Sequence, residues 1–462
     1  MSTFSLGFIP FQCGRRILTA FLLSSILATP LLGKDPTATR LLFQDRDTQA
    51  IKWVDLIEND GQLSAAGPKI LADFPKLDRE KQSLVQMSVS HGYLLAGVRD
   101  EENGAFGSGW ILAHTGVEYI DHGDHGHWKY PEAPAIRKTS INESQGNPAH
   151  LYVYQDIFYI ANDANDGFTR LDPARIPESG DIPTGFHRGG GNHITLAIAN
   201  GLGFASWIDR EGENAGRVDI IRIQPEGNDT LLRSLSLPSG TIHGATAVAN
   251  KVFLAPRDGI YWIDANLTTE SLQAHALSLG EPLDEDLPRR TGAFETFHGH
   301  ALCISGIGES AQLATIDARP ATPVLESLSL NLPEGVKPAT PRCVRARTGK
   351  HYAFICGNSV DEAEEETEQR EELVAVVELD PNRDKSFHDA RLLKSLPIGA
   401  SDVDGHSGHH AIAFDADGKR AFVANPGDGT ITVIRLKDLV VESTIQIGGK
   451  PEALIAIGGR GR

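Results

Sequence analysis

Along the chain, short runs of β-branched and aromatic residues alternate with polar positions or form brief apolar blocks, and Gly, Asn and Asp punctuate them. Helical periodicity is nearly absent. One unit recurs: a strand, a turn, then a second strand that closes on an apolar residue followed by Asp. Copies close at Trp53-Val54-Asp55, Arg170-Leu171-Asp172, Trp262-Ile263-Asp264, Thr315-Ile316-Asp317 and Glu378-Leu379-Asp380, with weaker equivalents near Ala113, Ile223 and Leu436. A spacing of roughly 40 to 60 residues is that of propeller blades. The expectation is an all-β propeller of about eight blades, with seven as the alternative. Pro451 to Ile457 reads as a lone innermost strand that completes the first blade, and a ring closed in this way leaves no sheet edge exposed.

The clearest unit is the last. Ala411-Ile412-Ala413-Phe414 passes through Asp415-Ala416-Asp417-Gly418-Lys419-Arg420 into Ala421-Phe422-Val423-Ala424-Asn425, and Pro426-Gly427-Asp428-Gly429 turns into Thr430-Ile431-Thr432-Val433-Ile434. This order of strand, turn, "V-A-N" and "I-T-V-I" resembles the YVTN family of propeller repeats.

The N-terminus departs from the pattern. Arg15-Arg16 precedes an apolar run from Ile17 to Leu32, broken by Ser24, Ser25 and Ala28 and followed by Lys34-Asp35. This reads as a cleaved secretory signal over residues 1–33, with a single propeller domain over 34–462. The run is short and rich in Ser, Thr and Pro for a membrane anchor, and its flanks fit a Sec signal better than a twin-arginine one. No second stretch approaches bilayer length, so the mature chain is expected in the periplasm, without membrane insertion and as a monomer. The formal net charge is −18, with 61 acidic against 43 basic residues. No basic run offsets it, which disfavours nucleic acid and anionic membranes as partners.

Three cysteines remain after the signal. Cys343 and Cys356 flank the turn Arg347-Thr348-Gly349-Lys350, and a disulfide across that hairpin is expected in an oxidising compartment. Zinc binding by these thiols lacks a C-x-x-C spacing, and Cys303 reads as a small buried apolar residue. Residues 361–372 (DEAEEETEQREE) interrupt the seventh unit as an acidic loop insertion.

Chemistry concentrates in Asp121-His122-Gly123-Asp124-His125-Gly126-His127-Trp128, where imidazoles and carboxylates, the usual zinc donors outside thiolate sites, crowd one segment. An extended backbone at Gly126 sends His125 and His127 to one side, and Gly123 lets His122 fold back toward them. Other histidines share a register just before innermost strands: His150, His193, His243, His298 with His300, and His406 with His409 and His410. The segment is read as a loop linking the second and third units, which would bring it and these histidines to one mouth of the channel. His91, His114, His187, His275, His351 and His388 lack that register and read as structural or surface residues.

With a signal, a YVTN-like closing unit, the H-G-D-H-G-H segment and H-G-x-A strand starts at His243 and His298, the chain resembles the periplasmic zinc metallochaperones of the AztD type. That resemblance implies a non-enzymatic β-propeller that binds Zn2+ and passes it to the solute-binding protein of an ABC zinc importer. It carries His122, Asp124, His125 and His127 over as ligands or near ligands, and the shared register adds His150, His193 and His409. Two other classes stand beside this one. A metal-dependent hydrolase or lyase would use Asp121 or Asp124 as a base, although HExxH and nucleophile-elbow motifs are missing, and a redox protein would want more Cys or Met. A plain interaction scaffold would leave the histidines structural.

Overall fold

The computed structural model describes residues 37–460, apart from 103, 229, 285–287, 360–371 and 406. The signal segment and most of the acidic insertion therefore lie outside the described residues. The described residues form eight sheets of four or more strands, the blades of a β-propeller, antiparallel except where Thr184–Arg188 of blade 3 meets Gly227–Asn228 in parallel. The first strand of each sheet faces those of its neighbours around a central channel. Blade 1 is completed from the far end of the sequence: Pro451–Ile457 pairs antiparallel with Thr37–Asp45, setting Leu42 opposite Ile455. The expected fold and its closure are both observed.

Middle strands read as continuous apolar runs because each of their faces meets a neighbouring blade. In Arg420–Asn425 of blade 8, Ala421 and Val423 pack with Tyr352, Phe354 and Val376 of blade 7, whereas Phe422 and Ala424 pack with Leu41, Phe43 and Val54 of blade 1. Each fully buried side chain of this size contributes roughly 1.5–3 kcal/mol.

The recurrent apolar-Asp pair ends the third strand in blades 3, 5, 6 and 7, whereas Val54-Asp55 falls in the middle of the third strand of blade 1 (Ala50–Asn59). In those four blades the carboxylate accepts a backbone N–H from the turn that follows: Asp172 from Ala174, Asp264 from Asn266, Asp317 from Arg319 and Asp380 from Lys385. Asp is selected there because a short carboxylate closes such a turn without help from distant residues. The turn Asp415 to Lys419 works similarly, and Gly418 is needed in it. Its φ is +63°, and a Cβ there would lie 2.5 Å from the Arg345 carbonyl oxygen of blade 7.

The expected disulfide is not formed. Cys343 is opposite Ala353 and Cys356 is opposite Val374. Cys343 and Cys356 therefore sit on different faces of the blade, and each is a free thiol, as is the buried Cys303. The reason is parity: Ala353 and Cys356 are three positions apart on one strand, and successive side chains point to opposite faces. Among the described residues no helix is long and apolar enough to cross a membrane.

Candidate metal centre

All innermost strands start at one mouth of the channel, which they share with the links between blades and the turns between second and third strands. The opposite face carries the turns between first and second strands and the connections between third and fourth. That division sorts the histidines.

His150 lies in the innermost strand of blade 3 (Pro148–Tyr154), His193 precedes that of blade 4 (Leu196–Ala199) and His243 precedes that of blade 5 (Gly244–Val248). The three rings converge at the strand-start mouth. His150 Nε2 stands 2.8 Å from His193 Nε2, and the His243 ring centroid is 5.3 Å from that of His193 and 6.1 Å from that of His150. Their outward nitrogens are each held. Gln86 Nε2 lies 3.2 Å from His150 Nδ1, Asp163 Oδ2 is 3.2 Å from His193 Nδ1, and the Gly292 carbonyl is 3.3 Å from His243 Nδ1. Leu151 N–H donates to Gln86 Oε1, which turns the Gln86 amide nitrogen toward His150.

These contacts order the protons. Asp163 accepts from His193 Nδ1–H, which leaves a lone pair on His193 Nε2 to accept from His150 Nε2–H. His150 Nδ1 in turn accepts from Gln86. Asp163 is buried, and it also accepts the Ile194 N–H and pairs with Arg99, so His193 has a rigid carboxylate behind it. Beneath the cluster, Tyr152 and Tyr154 of the same blade 3 strand stack at 6.2 Å, and burial raises both phenols above their ordinary value.

His409 starts blade 8, across the ring from blade 4, with its nitrogens against Asn358 Nδ2 and the Gly405 carbonyl. His410 is committed to structure, because one nitrogen meets the Ala424 carbonyl and the other meets the buried Glu372 at 2.9 Å. His406 lies outside the described residues.

The H-G-D-H-G-H segment is elsewhere. It forms the tip of a hairpin, Glu118–Asp121 paired with Gly126–Lys129, inserted between the third and fourth strands of blade 2. It therefore does not link blades 2 and 3, and it projects on the face opposite His150 and His193. Sequence spacing alone does not tell a connection inside a blade from one between blades, and this is the origin of the misplacement. His298 and His300 are corrected for the same reason. The innermost strand of blade 6 is Glu295–Phe297, which puts His298 in the turn after it and His300 at the start of the second strand.

Within the hairpin the imidazoles do gather. His122 Nε2 is 3.3 Å from His127 Nδ1, the rings of His122 and His125 stack at 5.0 Å, and Asp124 Oδ1 is 2.7 Å from His125 Nδ1. Asp121 caps the turn by accepting the Gly123 N–H. The hairpin is anchored by Arg40, which is 2 % exposed. It pairs bidentately with Asp55 and donates to the carbonyls of Thr115 and Glu132, where the insertion leaves and rejoins the blade.

Among the described residues, no group of three or more His, Cys, Asp or Glu side chains is arranged to hold a metal ion as it stands. The mouth cluster nonetheless fits zinc in its chemistry. Two nitrogens 2.8 Å apart share a proton where zinc bonds of about 2.0–2.1 Å would set them about 3.3 Å apart. For His150 and His193 to hold an ion there, the rings would open slightly and the His150 proton would shift from Nε2 to Nδ1, where it would meet the Gln86 amide. Sequence reasoning placed His243 in the right register but did not carry it into the ligand set. It missed Gln86 and Asp163, which carry no local signal beyond a polar residue near a turn.

The fold and site define an eight-bladed propeller with imidazole groups at both ends of its axis. No protein-family model matches the chain, and no curated protein matches it. Among solved structures it is similar to apo AztD from Citrobacter koseri, with 16 % identity and a TM-score of 0.61 over 93 % of this chain and 100 % of that one. A second structure of Citrobacter koseri AztD gives 15 % identity and a TM-score of 0.61, over 92 % of this chain and 99 % of that one. A putative 6-phosphogluconolactonase from Bacteroides uniformis gives 11 % and 0.51, over 91 % and 99 %. At such identities the likeness is one of fold.

Proposed function

We propose that this protein is an exported, periplasmic zinc carrier that binds Zn2+ without chemical turnover and hands it to the solute-binding protein of an ABC zinc importer. The observation that carries the reading is the meeting of His150, His193 and His243 from three adjacent blades, each with a held outward nitrogen. Imidazoles oriented from behind bind zinc in a fixed geometry, and the acceptors behind His193 and His243, Asp163 and the Gly292 carbonyl, raise the basicity of those two rings. The resemblance to the AztD type and the fold shared with it support the same reading. His122, Asp124 and His125, exposed on the opposite face, and the half-buried His127 beside them form a second, weaker and faster-exchanging station. His409 remains a further ligand candidate at the mouth.

A carrier must release its cargo. Neutral imidazoles at a half-exposed mouth permit replacement one ligand at a time, whereas a closed thiolate site would not. Affinity should fall as pH drops, because protons compete with the ion for the same nitrogens.

Zinc titration of the metal-free protein tests the reading. His150→Ala and His193→Ala should each remove the tight equivalent, and His125→Ala with His127→Ala should remove a weaker one. Unchanged tight binding in the double variant of His150 and His193 would refute the mouth assignment.

A further inference from the structure

A third group lies at the seam of blades 6 and 7, on the face opposite the mouth cluster. His351 opens the second strand of blade 7 (His351–Ser359), and Asp380 follows the third (Leu373–Glu378). His351 Nδ1 and Asp380 Oδ1 are both fully buried, and neither has a hydrogen-bond partner among the described residues. Asp380 is 6 % exposed. Its other oxygen accepts the Lys385 N–H at 3.2 Å and lies 3.7 Å from His351 Nδ1.

That separation is informative. At 3.7 Å it is too long for a direct hydrogen bond, and a bridging water, with two bonds of about 2.8 Å, would hold its partners between 4 and 5 Å apart. Bonds of about 2.0–2.2 Å to one cation span roughly 3.3 to 4 Å, according to the angle between them. Leaving His351 Nδ1 unsatisfied costs about 1–3 kcal/mol, and an ion bridging it to Asp380 Oδ2 removes that cost.

A third imidazole lies beside the pair. His298, in the exposed first turn of blade 6, stacks on His351 with ring centroids 4.5 Å apart and planes at 24°. Phe297 packs edge-on against both rings. The exposed His298 can turn and bring a nitrogen to the gap without disturbing the core.

We propose that His351, Asp380 and His298 form a binding site for a divalent transition-metal ion of the zinc class, clamping blade 6 to blade 7. Asp380 is buried and His351 largely so, whereas His298 is exposed, so the ion enters from the face that also carries the imidazole hairpin. The site does not depend on zinc carriage by the other two groups.

The test is Co2+ titration, followed by visible absorption, of the full mature chain carrying His150→Ala, His193→Ala, His122→Ala and His127→Ala. One equivalent of Co2+ with ligand-field bands is expected to remain. Adding Asp380→Asn, His298→Ala or His351→Phe, the last keeping an aromatic ring in the stack, should weaken it at least tenfold. No bound Co2+ in the starting variant, or binding indifferent to all three changes, would overturn the proposal. Should that variant fail to fold, an anomalous map at the zinc edge of the wild-type protein decides instead: density between His351 and Asp380 supports the site, and density only at His150 and His193 refutes it. The zinc-carrier reading fails separately, through unchanged tight binding in the His150 and His193 variants.

Discussion

At the scale of single residues, the mouth cluster depends on groups that never touch the ion. Gln86 donates to His150 Nδ1, the nitrogen that must carry the proton when Nε2 binds metal. Gln86→Glu supplies an acceptor there while keeping the bond from Leu151 N–H, and it is expected to tighten zinc about tenfold. Asp163→Asn should weaken it by about 10- to 100-fold, the usual effect of removing an outer partner. Competition titration against a chelator of known affinity reads both. Asp415 gives a pH prediction of a different kind. Burial pushes its carboxyl up to about 6, from 3.8, although Lys419 and Arg420 donate backbone N–H groups to it. The folded value lies above the unfolded one, so the stability this group contributes is complete below about pH 4 and is lost as pH rises through about 6. Asp415→Asn keeps an acceptor and cannot ionise. Between pH 4 and pH 7 denaturant melts should shift in favour of the variant by on the order of 1–3 kcal/mol.

At the scale of elements, the imidazole hairpin is an insertion whose shape is set by contacts at its tip and base. Gly126 permits the Tyr119 phenol to cross the strand, since a Cβ there would sit 2.0 Å from the Tyr119 hydroxyl. Gly126→Ala should therefore displace Tyr119 and spread His122 from His127, removing the weaker zinc equivalent while the tight one and the melting temperature stay near wild type. Isothermal titration with a thermal melt distinguishes this from general unfolding. The segment was legible as a group of donors because its composition is so biased, and Gly123 and Gly126 showed how the rings could gather. Its place in the ring was not legible. Whether a loop lies inside a blade or between two depends on which strands pair, and the pairing of Ser108–His114 with Ala135–Asn142 across the whole insertion is a long-range contact.

At the scale of the whole molecule, ring closure is the feature on which everything else depends. Residues Pro451–Ile457 supply the innermost strand of blade 1 and pack against the innermost strand of blade 8. Ending the chain after Lys450 should expose the edge of Thr37–Asp45 and give a species prone to association, visible by size-exclusion chromatography with light scattering. Phe422→Ala, at a fully buried position between blades 8 and 1, should cost about 3–5 kcal/mol by denaturant unfolding without altering zinc stoichiometry.

The sequence by itself determined the all-β class, the repeat, the closing strand and the residue types available for metal chemistry. These follow from local signals: strand periodicity, turn residues and the apolar-Asp pair that caps the third strand in four of the blades. Tertiary structure decided which histidines meet. His150, His193 and His243 share a mouth because their blades are neighbours in the ring. The hairpin and His298 face the other way because strand direction alternates within every blade. It also decided that Cys343 and Cys356 stay apart, and that His351 Nδ1 and an Asp380 oxygen end 3.7 Å from each other with the His298 ring stacked beside them. Such contacts join residues tens of positions apart through sheet pairing, and no local stretch of sequence encodes a distance of that kind.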